Sequence, residues 1–255
     1  MAMLFGLLGL LVGSFLNVLI LRTKSGKSFV TGRSECPKCH KALSWYELVP
    51  VLSYAIQKGR CRGCRARISP QYPLVELLTG AVYAGLYLAI GTGSQQAVFY
   101  LGVWLAAASL LIAAAVYDLH WMILPDRFMI PLILIGIINV IVLNTIFDQS
   151  VLIPRLIAAV VFALFFTTLW LVSSGKWLGD GDIRLAFAMG LLLSLEQLLV
   201  AVFFAFNIAA VVAIGLLIGK KKARHDALPL GPFLIIGTFI SLFFGQAIMK
   251  LYLAI

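Results

Sequence analysis

Eight apolar stretches dominate the chain, most of them about as long as the roughly 20 residues a bilayer crossing requires. They run over 3–21, 74–91, 97–117, 128–147, 152–173, 184–195, 197–218 and 232–253. In lipid, backbone N–H and C=O groups must be paired without water, which leaves helices or closed barrels. These stretches lack the in–out alternation of barrel strands. The expectation is therefore all-α: a polytopic membrane helix bundle of about eight spans. Composition agrees, with 62% apolar and only 12% charged residues, against about a quarter charged in soluble domains. The sixth stretch is short, and reads as a tilted helix or a half-span packed among its neighbours.

Where the charges fall orients the bundle. The formal net charge is +10, from 20 basic and 10 acidic residues. With the N-terminus outside, the loops 22–73, 118–127, 174–184 and 219–231 hold 18 of the 20 basic residues, and only Arg155 and Lys250 fall on the other face. The positive-inside rule then places those loops in the cytoplasm. Without the sixth stretch, Lys220, Lys221, Lys222 and Arg224 would be stranded outside. The basic excess is thus a topology signal, and no nucleic-acid partner is expected. The first charge is Arg22, so no basic region precedes the first apolar run. That run reads as a retained helix, not a cleaved signal peptide. The expected organisation is a first transmembrane helix at 1–21, a cytoplasmic loop domain at 22–73 and a transmembrane core at 74–255. Lipid is the one partner these features require, and oligomeric state is left open.

The loop 22–73 holds all four cysteines, as Cys36-Pro-Lys-Cys39 and Cys61-Arg-Gly-Cys64. A C-x-x-C knuckle lets two thiolates reach one metal from a tight turn, and two knuckles complete a tetrahedral site. Four thiolates leave no open position, so the expected metal is one structural zinc. The competing reading, two disulfides, is disfavoured on a cytoplasmic face. Gly63 supports the second turn, and Lys38, Lys41, Arg60, Arg62 and Arg65 are expected to lower the thiol pKa values. His40 is an alternative ligand, more simply read as exposed.

Only ten acids occur, and an ionisable group at a lipid boundary needs a purpose. Asp148 and Glu196 fall in external turns, while Glu35, Glu47 and Asp226 lie in basic surroundings and read as solvated or ion-paired. Two clusters remain: Asp118 to Asp126 at the end of the third stretch, and Gly179-Asp180-Gly181-Asp182 before the sixth. Asp126 after Pro125 is explained as a helix cap, and Asp182 taken alone is as well read as the cap of a helix beginning at Ile183. The glycines would let backbone approach a substrate closely. Topology joins the clusters, because it puts Asp118 and Asp182 at one depth on one face. Two carboxylates in contact share a proton. The charged one can activate water while the protonated one polarises a carbonyl. No serine-hydrolase elbow, zinc-protease helix or phosphate loop competes.

These residues resemble the type IV prepilin peptidases, the bifunctional leader peptidase/N-methyltransferases of pilus and type II secretion systems. The resemblance runs through Gly13-Ser-Phe-Leu-Asn17-Val, the twin C-x-x-C loop, Ser69-Pro-Gln-Tyr72-Pro73-Leu-Val-Glu76, Asp118 with Leu124-Pro125-Asp126, and the Gly-x-Gly-Asp ending at Asp182. It implies an aspartic endopeptidase with Asp118 and Asp182 as catalytic residues, cutting the basic leader of prepilins or pseudopilins after a glycine at the cytoplasmic face. It also implies methylation of the new N-terminus from S-adenosylmethionine. Glu76 and Gly80 are the positions it suggests for that second site. Their plainer reading is a pairing of Glu76 with a loop arginine and close helix packing at Gly80.

A proton- or cation-coupled transporter using the buried carboxylates is the alternative. It predicts paired repeats with broken helices at the midplane, and no internal repeat is present.

Overall fold

The computed structural model describes residues 1–26, 28, 32–219 and 228–253. Lys27, the cluster Lys220 to Arg224, His225 and Asp226 lie outside the described residues. Nine helices and one 3-10 turn (Trp45–Glu47) make up the regular structure of the described residues, with no strand among them. The helices are α1 (Ala2–Ser25), α2 (Leu52–Ile56), α3 (Gln71–Ile90), α4 (Gln95–Trp121), α5 (Asp126–Thr145), α6 (Leu152–Val172), α7 (Asp180–Leu192), α8 (Leu195–Ile218) and α9 (Gly231–Leu253). Each apolar stretch read from the sequence is thus a helix. Seven of them are long and apolar enough to cross a membrane, which makes this a multi-pass membrane protein. Two compact units divide the chain, Met1–Ala113 and Ala114–Ile255.

In the first unit, α1 and α3 pack through glycines. A Cβ on Gly9 would lie 2.8 Å from the Gly80 Cα, and one on Gly13 would lie 2.7 Å from the Glu76 Cα. Lipid tails give helices no hydrophobic drive to associate, so small residues four apart allow the backbone approach that makes dispersion contacts count. Asn17 strengthens the seam by donating to the carbonyls of Gly13 and Tyr72, both at 3.2 Å. Further along α3, the Tyr83 hydroxyl meets the Ser109 hydroxyl of α4 at 2.7 Å.

The second unit is built around α7, which is buried along most of its length. With 13 residues it spans about 20 Å, short of a bilayer core of about 30 Å. Its far end is nevertheless finished inside the protein. The buried Arg155 of α6 donates to the carbonyls of Leu191 and Leu192 at 3.3 and 3.2 Å. Those are carbonyls a helix end leaves unpaired, and burial of Leu191 and Leu192 makes a protein donor necessary. Glycine again permits the packing. Gly190 lies against Ala159 of α6, and a Cβ on Gly136 of α5 would meet the Leu191 Cβ at 2.8 Å.

Candidate active site

Asp118 lies one turn before the end of α4, and its side chain is buried, at 5% exposure. The helix closes at Met122, whose backbone takes the left-handed conformation (φ 53°) and donates to the Asp118 carbonyl at 2.8 Å. That reversal sends Leu124 and Pro125 back over the site before α5 begins. The Asp118 carboxylate accepts a hydrogen bond from the backbone N–H of Gly231, the first residue of α9. It is therefore held at a helix N-terminus, where unpaired N–H groups and the dipole favour an anion.

Asp182 is also buried, at 7% exposure. The helix starts at Asp180 and not at Ile183, so Asp182 is its third residue and not its cap. Its Oδ2 reaches back to accept from the Gly179 N–H at 3.0 Å. This is the acidic half of a capping box, so one oxygen serves the helix. Asp118 and Asp182 are close enough for their charges to act on each other.

Leu124 joins the two carboxylate segments. A Cβ on Gly181 would lie 2.6 Å from the Leu124 Cβ, and one on Gly231 would lie 3.2 Å from its Cδ1. Gly181 is thus a packing glycine under the site, where the sequence suggested a backbone approach to substrate. Arg184 adds a second tie. It pairs with Asp126 at the start of α5 and, at 2.8 Å, with Asp180 one turn back on α7. Asp126 is the first residue of α5, with Pro125 as its cap, and its carboxylate serves this ion pair. Sequence reasoning did not single out Leu124, Arg184 or Gly231 for these contacts. Gly231, in Leu230-Gly231-Pro232, carried a visible signal in a glycine placed just ahead of a proline at a span's start.

In the first unit the four cysteine sulfurs converge, all within 4.8 Å of one another. The Sγ–Sγ separations are 3.9 Å for Cys36–Cys64 and 4.0 Å for Cys39–Cys61. These are far from a disulfide bond of about 2.05 Å. They match the edge of about 3.8 Å that four Zn–S bonds of about 2.3 Å would give a tetrahedron. The knuckles repeat one another. His40 and Arg65 follow the second cysteine of each with positive φ, and their N–H groups donate to the carbonyls of Cys36 and Cys61, both at 2.9 Å. Backbone N–H groups of Cys39 and Lys38 hold the Cys36 thiol down at about 6. The basic side chains expected to do this are not the cause. Cys39 behaves differently: the Lys41 N–H lowers it, but Cys64 and burial outweigh that and push it up to about 11. His40 turns toward Glu35, 3.9 Å away. Glu47, read as solvated or ion-paired, is buried and binds Lys41 at 3.3 Å and the Ser44 N–H at 2.9 Å.

Glu76 and Gly80 lie on the face of α3 toward α1. Glu76 accepts from the Val51 N–H at 2.7 Å, tying the loop to the helix through backbone and not through an arginine. A Cβ on Gly80 would meet Leu10 Cδ2 at 3.0 Å and the Gly6 carbonyl at 3.1 Å. That space is filled by α1.

Comparison with known proteins gives two family matches. Residues 7–90 match the Bacterial Peptidase A24 N-terminal domain, and residues 105–214 match the Type IV leader peptidase family. The chain is 30% identical over 250 residues to a Prepilin leader peptidase/N-methyltransferase of Bacillus subtilis (strain 168), covering 96% of this chain and 95% of that protein. It is 38% identical to one of Myxococcus xanthus (strain DK1622), over 85% of this chain and 63% of that protein. One of Aeromonas salmonicida (strain A449) is 30% identical, over 97% and 92%. No solved structure matches.

Proposed function

Because this chain belongs to the type IV leader peptidase family, we propose that Asp118 and Asp182 are the catalytic pair of its peptidase. The family and the relatives' names make the activity that of a prepilin peptidase that also carries N-methyltransferase activity. They lend no support to a transporter. The observation that carries the residue assignment is that the two buried carboxylates lie on segments that converge on Leu124. Two buried carboxylates from α4 and α7 act on each other, each held by a backbone N–H.

The chemistry follows from one shared proton. The ionised member takes a proton from a water molecule as its oxygen adds to the scissile carbonyl carbon. The protonated member donates to the carbonyl oxygen and stabilises the charge gathering there. Collapse of the tetrahedral adduct breaks the C–N bond, and a carboxyl proton passes to the leaving amine. Gly231 and Gly179 hold one carboxylate each, which fixes the pair before substrate arrives. In this reading the substrate is a prepilin or pseudopilin whose apolar helix lies beside the bundle. Its basic leader is cut after a glycine at the cytoplasmic boundary of the inner membrane. The end of α7 at Arg155, near the start of α6, supports eight segments running between the two faces.

Residues 22–73 form the loop domain between the helix 1–21 and the core 74–255. Cys36, Cys39, Cys61 and Cys64 hold one structural zinc there, in a stretch with little core of its own. S-adenosylmethionine is the methyl donor the second activity calls for. Glu76 and Gly80 are the residues proposed for that site, and both also have a structural role in the packing of α3. The deciding experiment incubates purified protein with a prepilin in detergent and follows leader loss. Asp118→Asn and Asp182→Asn should each abolish cleavage, and full cleavage by either would overturn the assignment.

A further inference from the structure

We propose that a basic cavity at the root of the second cysteine knuckle binds the phosphate-bearing headgroup of an anionic phospholipid. The cavity measures about 460 Å³, and its walls include Tyr54, Lys58, Arg60, Arg67, Ile68 and Ser69. Three cations line it and no acid does.

Backbone pairing forces two of those cations together. Arg60 and Arg67 form an antiparallel bridge at the base of the Cys61–Cys64 turn. Residues directly opposite in such a bridge put their side chains on one face, with Cβ atoms about 5 Å apart, and like charges there are destabilising. No carboxylate of the module offsets them. Residues 22–73 contain 11 basic residues and two acids, Glu35 and Glu47. Glu35 faces His40 and Glu47 is taken by Lys41 and Ser44. None of Lys58, Arg60 and Arg67 pairs with an acidic side chain among the described residues. The Ser69 hydroxyl accepts from the Gln71 N–H at 3.2 Å, which leaves its own proton to donate. The site thus offers two guanidiniums, an ammonium and a hydroxyl to one occupant, a donor set suited to a phosphate.

Charge also excludes the protein's other ligands from this cavity. A prepilin leader is basic, and the methyl donor, with a sulfonium and an ammonium against one carboxylate, has a net positive charge. Both would be repelled.

Position selects a lipid over a free anion. The cavity wall ends at Pro70, and Gln71 begins the membrane helix α3. α2, whose Tyr54 lines the cavity, exposes Leu52 and Ile56, one turn apart, at 58% and 61%, and Trp45 is 80% exposed. Exposed apolar and tryptophan side chains beside a basic site mark a surface resting in the headgroup layer. A bound anionic headgroup would also lower the positive potential a basic leader meets on approach.

The test titrates full-length, metal-loaded protein in detergent with dioleoyl phosphatidylglycerol or dioleoyl phosphatidylcholine, counting bound lipid by native mass spectrometry. The wild type should hold phosphatidylglycerol selectively. Arg60→Gln with Arg67→Gln should weaken that binding about thirtyfold, at about 1 kcal/mol per cation. Arg33→Gln with Lys38→Gln removes equal charge from the same loop outside the cavity, and should leave binding intact. Equal losses in both double variants would reduce the effect to general charge and overturn the site. Displacement of the lipid by millimolar inorganic phosphate would assign the cavity to a free anion and overturn the lipid. Metal content reports whether the Arg60/Arg67 variant is folded. If it is not, Lys58→Gln carries the test, with an expected loss of about fivefold.

Discussion

A Cβ built on Gly231 would lie 2.6 Å from the Asp118 Oδ2. The same residue gives its backbone N–H to that carboxylate. Hydrogen bond and close approach are one arrangement, because only a residue without a side chain brings the first N–H of α9 this near to Asp118.

Gly231→Ala should therefore disable cleavage without unfolding the protein. The methyl group must push the Asp118 carboxylate or the start of α9 aside. A displacement of about 1 Å at reacting groups costs on the order of 10²-fold in rate. Gly215→Ala on α8 is the control, since a Cβ there meets nothing within 4 Å. Its cleavage rate in a prepilin assay should match the wild type.

Gly181 and Leu124 should behave as a coupled pair. In Gly181→Ala the new methyl collides with the Leu124 Cβ, 2.6 Å away. The collision should lift α7 away from the Leu124-Pro125 segment and lower activity at least tenfold, a misplacement effect like that at Gly231. Adding Leu124→Ala cannot remove the clashing Cβ but frees the rest of the side chain to shift, so part of the activity should return. A double-mutant cycle in cleavage rate measures this, and strict additivity would show that the two do not communicate through packing.

The helices were legible because apolar runs of bilayer length announce themselves, and every predicted stretch became a helix within a few residues. The four cysteines were legible because two C-x-x-C turns need no long-range information to make a cluster. What the sequence could not show was how the Asp118 and Asp182 segments are supported. Gly231 lies 113 positions from Asp118 along the chain, and no local pattern pairs a glycine with an aspartate that distant. Arg184 looked like one more topology charge. Its pairing with Asp126 needs α5 and α7 to be adjacent, which periodicity does not reveal. The short sixth stretch was ambiguous because the arginine that finishes its helix, Arg155, sits on a different helix.

Glu47 should make the cysteine module acid-sensitive. Its carboxyl is held below the usual glutamate range by the Ser44 backbone N–H, helped by Lys41, with burial opposing. A carboxylate whose folded value is depressed stabilises fully above its unfolded value, and the stabilisation is lost as pH falls through the folded one. Protection from hydrogen exchange across residues 32–70, measured against the intrinsic rate at each pH, should therefore fall on acidification below the ordinary carboxylate range. Glu47→Gln should exchange faster than wild type at neutral pH and respond less to acid. An unchanged acid response would remove Glu47 as the cause.

Metal removal should unfold the loop domain and leave the helices standing. The described residues of the module include no sheet and few buried apolar side chains, so the four thiolates supply most of its organisation. Dialysis against a chelator should release about one zinc per chain, the count a closed four-thiolate site takes. It should open residues 32–70 to proteolysis while helix content barely changes. Zinc added back should restore protection. Cys64→Ser should bind zinc weakly and resemble the stripped protein. Protection that persists in a metal-free sample would mean that the loop folds without the site.

Arg184 tests whether a surface ion pair matters when it spans two segments of a site. Each of its pairs is exposed, with side-chain exposures of 38% for Arg184, 58% for Asp126 and 70% for Asp180. Such pairs contribute about 0.2–1 kcal/mol and are screened by salt. That range converts to a loss of no more than about fivefold per pair. Arg184→Gln should accordingly slow cleavage by a few-fold, and the gap to wild type should narrow as salt rises. Arg184→Lys keeps the charge and should recover most of the rate, though its single ammonium cannot grip two carboxylates as a guanidinium fork does. A much larger loss, insensitive to salt and not recovered by lysine, would mean that Arg184 touches the substrate. Its place would then be in the chemistry of the site, beyond bracing α7 against α5.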